Sequence, residues 1–218
     1  MKNKKQIYIL GAGSMARETY LIYKNLKKDS LVLGFLEDKP HAKFLMDKPV
    51  YSLSRITSFK KNVTFVPAIG SPLRKLIVRK IEKLGFSLES VIHPSVPINQ
   101  YISIQKGSII CPGVIMTCDI KIGKNCIVNI NSLINHDAEL GDFVTIGPGA
   151  NIAGNVKIGK DSWIGVGVTI IDKIKIGEGS FIGAGAVVTK NIPPHTLAYG
   201  VPARSIRKIS AKNWKDLI

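Results

Sequence analysis

The sequence predicts a two-part chain: a small α/β domain with a parallel sheet over residues 1–90, then an all-β parallel helix of stacked triangular coils over 91–218. Three observations predict it. An aliphatic residue or methionine recurs at every sixth position from Ile92 to Val188. Ahead of that run, short apolar stretches alternate with helical ones, as in βαβ units. A glycine turn, Gly11-Ala12-Gly13, joins the first apolar stretch to the first helical one.

Composition narrows the function classes. The chain has 218 residues, 45% hydrophobic and 21% charged, ordinary for a globular protein. No apolar run approaches the roughly 20 residues that span a bilayer, so no membrane insertion is expected. The apolar run behind the basic start, Ile7 to Leu10, is too short for a signal-peptide core. Cys111, Cys118 and Cys126 are odd in number and fit no zinc or redox spacing. They read as free thiols in a reducing, cytoplasmic setting, and no metal site is expected. A net charge of +16 calls for anionic partners. The lysines are scattered and aromatics make up only 7%, which disfavours nucleic acid and leaves phosphorylated or nucleotide-bearing small molecules.

Taken in order, Gln6 to Leu10 reads as a strand and Ser14 to about Leu26 as a helix. Leu31 to Leu36 is a second strand ending in Glu37-Asp38. Val63 to Ile69 is a third, and Pro72 to Leu84 a second helix. Gly11-x-Gly13-x-x-Ala16, with acidic residues some twenty positions on, has the form of a Rossmann-like fingerprint. Such a turn holds any phosphate at the helix N-terminus. It fits a dinucleotide, a nucleotide-linked substrate or a merely structural turn. Ninety residues hold little more than one mononucleotide half, which weakens the first of these.

The repeat then takes over. The sixfold steps read Ile92, Ile98, Ile104, Ile110, Met116, Ile122, Val128, Ile134, Leu140 and onward to Ile182 and Val188. Glycine often follows, as at Gly123, Gly141, Gly147, Gly159, Gly165, Gly177 and Gly183; it is expected to serve the turn through positive φ. Two residues before the aliphatic the side chain is usually small or β-branched, as at Cys126, Ser132, Ala138 and Val144. This is a hexapeptide pattern. Six residues make one flat side, three sides make a coil of about eighteen, and the run holds between five and six coils.

An eighteen-residue coil works as a coordinate system. His136 lies two residues beyond the inward Ile134 and so points outward, with Asp137 beside it. One coil above His136 is Gly154 and one below is Cys118. Ala153-Gly154 therefore leaves the histidine uncovered, with room for a thin chain such as pantetheine. A neutral imidazole suits a general base for attack on a thioester, and a neighbouring carboxylate fixes its tautomer. The alternative is an ordinary surface histidine; His41, His93 and His195 are read as structural or solvated. The same spacing aligns Lys121, Glu139, Lys157 and Lys175 as a solvated ladder or an anion guide. Beyond the coils, Gly200 to Ala203, Arg204, Arg207 and Lys208 form a basic segment fit for phosphates, and Ser210 could cap a helix ending near Leu217.

Gly11-Ala12-Gly13-Ser14, Phe35-Leu36-Glu37-Asp38, Ala68-Ile69-Gly70, Asn135-His136-Asp137 and Ala153-Gly154-Asn155-Val156 together resemble one family. It comprises the sialic-acid O-acetyltransferases and the nucleotide-amino-sugar N-acetyltransferases of the bacillosamine type, and the resemblance spans essentially the whole chain. The resemblance implies a left-handed β-helix and a homotrimer with acetyl-CoA lying between neighbouring helices. It implies His136 as base, tuned by Asp137, and substrate contacts at Gly13, Ser14, Met15, Glu37, Asp38 and Gly70. Acetyl-CoA contacts map to Thr145, Gly154, Val166 and Ala184, largely through backbone, and the basic segment adds Arg204. Two positions depart: some members carry histidine where this chain has Met15, and a second histidine where it has Thr145.

The expected activity is acetyl transfer from acetyl-CoA to the amino group of a nucleotide-linked amino-deoxysugar, such as a UDP- or dTDP-4-amino-4,6-dideoxyhexose, in surface-glycan synthesis such as that of lipopolysaccharide. The alternatives are sugar O-acetylation and, in another class, a non-enzymatic trimeric nucleotide-binding scaffold.

Overall fold

The computed structural model describes residues 5–60 and 62–210. The chain divides into two compact units, Met1–Pro94 and Ser95–Ile218.

The first unit runs β1 (Gln6–Leu10), α1 (Ser14–Asn25), β2 (Val32–Glu37), β3 (Phe44–Leu45), β4 (Lys48–Ser52), a 3-10 helix (Leu53–Ser58), β5 (Val63–Pro67), α2 (Arg74–Lys83) and β6 (Ser87–Leu88). The sheet order is β3-β4-β2-β1-β5-β6. Every pairing is parallel except the β3–β4 hairpin. The three expected strands and two helices are present, with ends shifted by one or two residues. The hairpin and the short β6 are additions that sequence periodicity did not signal, because strands this short carry too few alternations to read. Ile7, Ile9 and Leu10 are fully buried, as befits a strand covered on both faces. α1 buries Met15, Ala16, Thr19, Tyr20, Ile22 and Tyr23, the recurrence of one face of an α-helix.

The second unit is a parallel β-helix. Its three faces are ladders with an eighteen-residue register. Ile127 pairs with Thr145, Trp163 and Phe181 in succession. Leu133 is followed by Asn151, Thr169 and Val187, and Lys121 by Glu139, Lys157 and Lys175. The sixfold aliphatics fill the core: Ile110, Val128, Ile134, Ile146, Ile152, Ile164, Ile170, Ile182 and Val188 are all at 0% exposure. The small residues two positions earlier are buried too. Where they are polar they are satisfied: Ser132 Oγ donates to the Gly147 carbonyl at 3.0 Å and Ser162 Oγ to that of Gly177 at 3.0 Å.

Two expectations need correction. Within this unit the paired ladder begins at Ile102–Ile104, and Ile98 is 46% exposed. An aliphatic at the sixth position is buried where its side of the coil forms a paired strand, and Ile98 lies in no strand. The second correction concerns the turns. Positive φ does not fall on the glycines directly after the aliphatics. It falls two residues later, at Gly107, Gly113, Asp119, Asn125, Asn131, Asp137, Phe143, Gly149, Asn155, Asp161, Gly167, Lys173, Gly179 and Gly185. Asn and Asp tolerate this region better than other residues with a Cβ. The glycines after the aliphatics answer a steric demand instead. A Cβ on Gly141 would stand 2.6 Å from the Lys160 nitrogen, and one on Gly165 2.7 Å from that of Ala184.

After the last coil, strands Thr196–Gly200 and Ala203–Lys208 form an antiparallel hairpin, and the first of them continues the ladder from Phe181–Ile182. Phe181, Leu197 and Ile209 cluster there with Trp163 packed against them. Arg204, Arg207 and Lys208 of the basic segment thus lie on a strand. The helix expected to end near Leu217 falls outside the described residues.

Candidate functional site

The register places Cys118, His136, Gly154 and Asp172 one above another at a single corner of the coil. Backbone bonds stitch that corner together. Asp137 N–H donates to the Cys118 carbonyl at 3.2 Å, Asn155 N–H to that of His136 at 2.8 Å, and Lys173 N–H to that of Gly154 at 2.9 Å. Asp137 occupies the left-handed turn position, at φ 60°, which swings its carboxylate back beside its neighbour. His136 Nδ1 lies 2.9 Å from Asp137 Oδ2. A carboxylate only accepts, so in the neutral ring this contact selects the tautomer with the proton on Nδ1 and the lone pair on Nε2. Both side chains are 52% exposed. A Cβ built on Gly154 would stand 2.5 Å from His136 Cε1 and 2.6 Å from Nε2. The imidazole therefore lies directly against the glycine backbone, and any larger residue would displace it.

Two neighbours complete the corner. Asp172 was not singled out from sequence, although it lies eighteen residues beyond Gly154. Its Oδ1 accepts from the Gly154 amide at 3.0 Å. That bond anchors the glycine over the ring and engages its N–H, so the amide is not free to hold a ligand carbonyl. Cys118 is exposed. Partial desolvation, and then the Asp119 and Asp137 carboxylates, push its thiol above the ordinary range.

Val166 and Ala184 share a different corner, one coil apart, and both are exposed. Among the described residues neither amide donates to a backbone carbonyl, so both are available to a ligand. Arg204 lies in the terminal hairpin, paired with Tyr199, and the Tyr199 Cβ would be 2.8 Å from a Cβ on Gly183, next to Ala184. Val166, Ala184 and the hairpin thus form one continuous edge. Gly154 belongs with His136 instead. Thr145 joins neither group: it is 3% exposed on the face that carries Trp163.

In the first unit, Gly11 follows β1 with φ 97°. Its amide donates to the Leu36 carbonyl at 2.7 Å, and a Cβ would stand 2.9 Å from the Ala68 oxygen. Gly13 is the N-cap of α1, with no side-chain cap and no acidic residue in the first turn. A Cβ there would meet nothing within 4 Å, so the space before the helix N-terminus is open. The strand order runs outward in opposite directions from β1, to β2 on one side and to β5 on the other, which makes their junction the topological switch point where open α/β sheets bind ligands. Gly13, Ser14, Met15, Glu37, Asp38 and Gly70 all lie along the C-terminal edge of β1, β2 and β5, and Gly70 approaches the Met15 Cβ to within 3.9 Å of a built Cβ. Arg74, missed from sequence, is 2% exposed and donates from Nη1 to the Ile69 carbonyl at 2.8 Å, bracing the loop that carries Gly70.

Of the remaining histidines, His93 contacts the Asn25 amide at 2.9 Å, His195 lies 3.6 Å from Glu178, and His41 is exposed. The lysine ladder carries Glu139 between Lys121 and Lys157, 3.5 Å from each. Among the described residues no cluster of three potential metal ligands occurs, and no helix is long and apolar enough to cross a membrane.

A family model described as bacterial transferase hexapeptide (six repeats) matches residues 119–154 and 155–190. Comparison with curated protein sequences gives no match. Solved structures match over nearly the whole chain. The acetyltransferase domain of PglB from Neisseria gonorrhoeae FA1090, in complex with acetyl coenzyme A, is 27% identical, with TM-score 0.88 over 94% of this chain and 100% of its own. A histidine-to-alanine mutant of GDP-perosamine N-acetyltransferase from Caulobacter crescentus, in complex with CoA and GDP-perosamine, is 28% identical, with TM-score 0.87 over 93% and 97%. WeeI from Acinetobacter baumannii AYE is 31% identical, with TM-score 0.85 over 92% and 99%. With the repeat, the stacked histidine corner and these whole-length matches together, the chain belongs to the hexapeptide-repeat sugar acetyltransferase family of enzymes.

Proposed function

We propose that the protein transfers the acetyl group of acetyl-CoA to the amino group of a nucleotide-linked amino-deoxysugar, with His136 as general base. The observation that carries this reading is the His136–Asp137 pair lying open against Gly154. Nε2 accepts a proton from the amine as its nitrogen bonds to the thioester carbonyl carbon. Asp137 stabilises the resulting imidazolium, which returns the proton to the coenzyme A sulfur as the C–S bond breaks. Transfer is direct. Cys118 stands one coil below, but its surroundings disfavour the thiolate, which disfavours a thioester on the enzyme.

The crevice at Gly13, Ser14, Gly70, Glu37 and Asp38 takes the nucleotide: a helix N-terminus for phosphate and carboxylates for ribose hydroxyls. The exposed amides of Val166 and Ala184 receive the pantetheine carbonyls, and Arg204 the coenzyme A phosphates. The related enzymes solved with CoA, acetyl-CoA and GDP-perosamine support this class of donor and acceptor. His136 and Val166 lie at different corners of the β-helix, so a single ligand meets both most directly in a groove between two copies. That supports a homotrimer, checked by light scattering as three chain masses.

The assay is thiol release from acetyl-CoA with a panel of UDP-, dTDP- and GDP-linked amino-sugars. Release with at least one amino-sugar is expected, lost by about a hundredfold or more in His136→Ala. Release only with hydroxyl acceptors points to O-acetylation. No release and no coenzyme A binding by calorimetry leaves only a scaffold.

A further inference from the structure

A cavity of about 640 Å³ opens in the first unit, lined by Gln6, Tyr8, Arg55, Phe59, Lys60 and Asn62 among others. Its volume is in the range of small-molecule sites, roughly 300–1,000 Å³. Gln6 and Val63, which begin β1 and β5, lie on its wall. The crevice at Gly11 and Gly13 follows the opposite ends of these strands. Five residues of strand, about 16 Å, separate the two, so the cavity is not part of the nucleotide crevice.

The cavity combines three features. Its wall is aromatic: Tyr8 and Phe59 stack with centroids 4.5 Å apart and planes 20° from parallel. It is cationic: Arg55 and Lys60 line it, no acidic residue does, and neither cation forms an ion pair among the described residues. Arg55 is held over the Tyr51 ring at 4.3 Å, an arrangement that orients the guanidinium without neutralising it. Finally, Tyr8 lines the cavity while being only 8% exposed overall, and its hydroxyl is not among the fully buried atoms without a partner, so a ligand can reach it. Burial also pushes its ionisation upward, so it stands as a donor facing the cavity.

We infer that this cavity is a second ligand site, for a small phosphate ester carrying a planar ring. The phosphate meets Arg55, Lys60 and the Tyr8 hydroxyl, and the ring packs on Phe59. Placed at the far end of β1 from the crevice, it suits an effector rather than the sugar substrate.

Titration calorimetry with phenyl phosphate tests this. One saturable site per chain is expected, about tenfold tighter than inorganic phosphate. Arg55→Gln/Lys60→Gln weakens it by about tenfold or more, and Tyr8→Phe by several-fold, with thermal melting as the folding control. Should the double variant fold poorly, Lys60→Gln alone, at an exposed position, carries the same expectation at smaller size. Gly13→Glu, which places a carboxylate before the α1 N-terminus, leaves the binding unchanged. Absence of saturable heat overturns the inference. So does heat that survives the double variant but disappears with Gly13→Glu, since the anion would then occupy the crevice.

Discussion

At the residue scale, the site depends on a missing side chain. The imidazole of His136 occupies the space that a Cβ at Gly154 would need. Gly154 is not among the positive-φ residues, so alanine is conformationally allowed there and the effect is steric. Gly154→Ala is expected to lower kcat about tenfold or more by displacing the ring, while thermal melting shifts by only a few degrees. Asp137 combines two roles that substitutions can separate. Asp137→Asn keeps a side chain suited to the left-handed turn but lowers kcat through loss of the carboxylate. Asp137→Ala lowers kcat as well and costs a further ~1 kcal/mol of stability in denaturant unfolding. Cys118 gives a pH-dependent readout. Its pKa is raised, so the thiolate fraction at a given pH is below that of a free thiol. Alkylation by iodoacetamide at pH 8 is expected to be slower than for free cysteine and to quicken in Asp137→Asn, followed by mass spectrometry. Cys118→Ser should retain acetyl transfer within about threefold, as direct attack requires.

At the element scale, the coil turns use two kinds of glycine with different physics. Gly149 sits at φ 64° with open space around a built Cβ, whereas Gly141 has an ordinary φ but the Lys160 backbone 2.6 Å from a built Cβ. Gly149→Ala should cost about 1 kcal/mol, the left-handed penalty. Gly141→Ala should cost about 3 kcal/mol, because it forces two coils apart; chemical denaturation compares them. This distinction marks the limit of what the sequence disclosed. The sixfold aliphatics revealed the core, the coil length and the stacking of Gly154 on His136, since those follow from period alone. The period alone said nothing of which turn residue takes positive φ, because it counts positions and not backbone angles; Gly, Asn or Asp fills most of those positions, but Phe143 and Lys173 carry no such signal. Nor did it reveal the β3–β4 hairpin or the cavity at Tyr8, which arise where irregular segments between strands fold onto the sheet.

At the scale of the whole molecule, each unit presents one part of the proposed chemistry: an open helix N-terminus beside β1 in the first, and a histidine corner with unengaged amides in the second. The legibility of the two halves differed for a physical reason. A solenoid repeats the same contacts at each coil, so its register can be counted. An α/β crevice is assembled once, from segments distant in sequence, and Arg74 bracing Ile69 leaves no periodic trace. The uniform register also governs how such a chain can change length. The cross-coil strand pairs from Ile102 to Val188, and with them Gly154 on His136 and Asp172 on Gly154, depend on an offset of eighteen. Deleting a single residue between positions 137 and 153 would turn each later side chain onto another face and empty the corner above the histidine. Removing or inserting a complete coil beyond Asp172 would leave it untouched. Insertions and deletions tolerated by this half of the protein should therefore come in steps of eighteen residues.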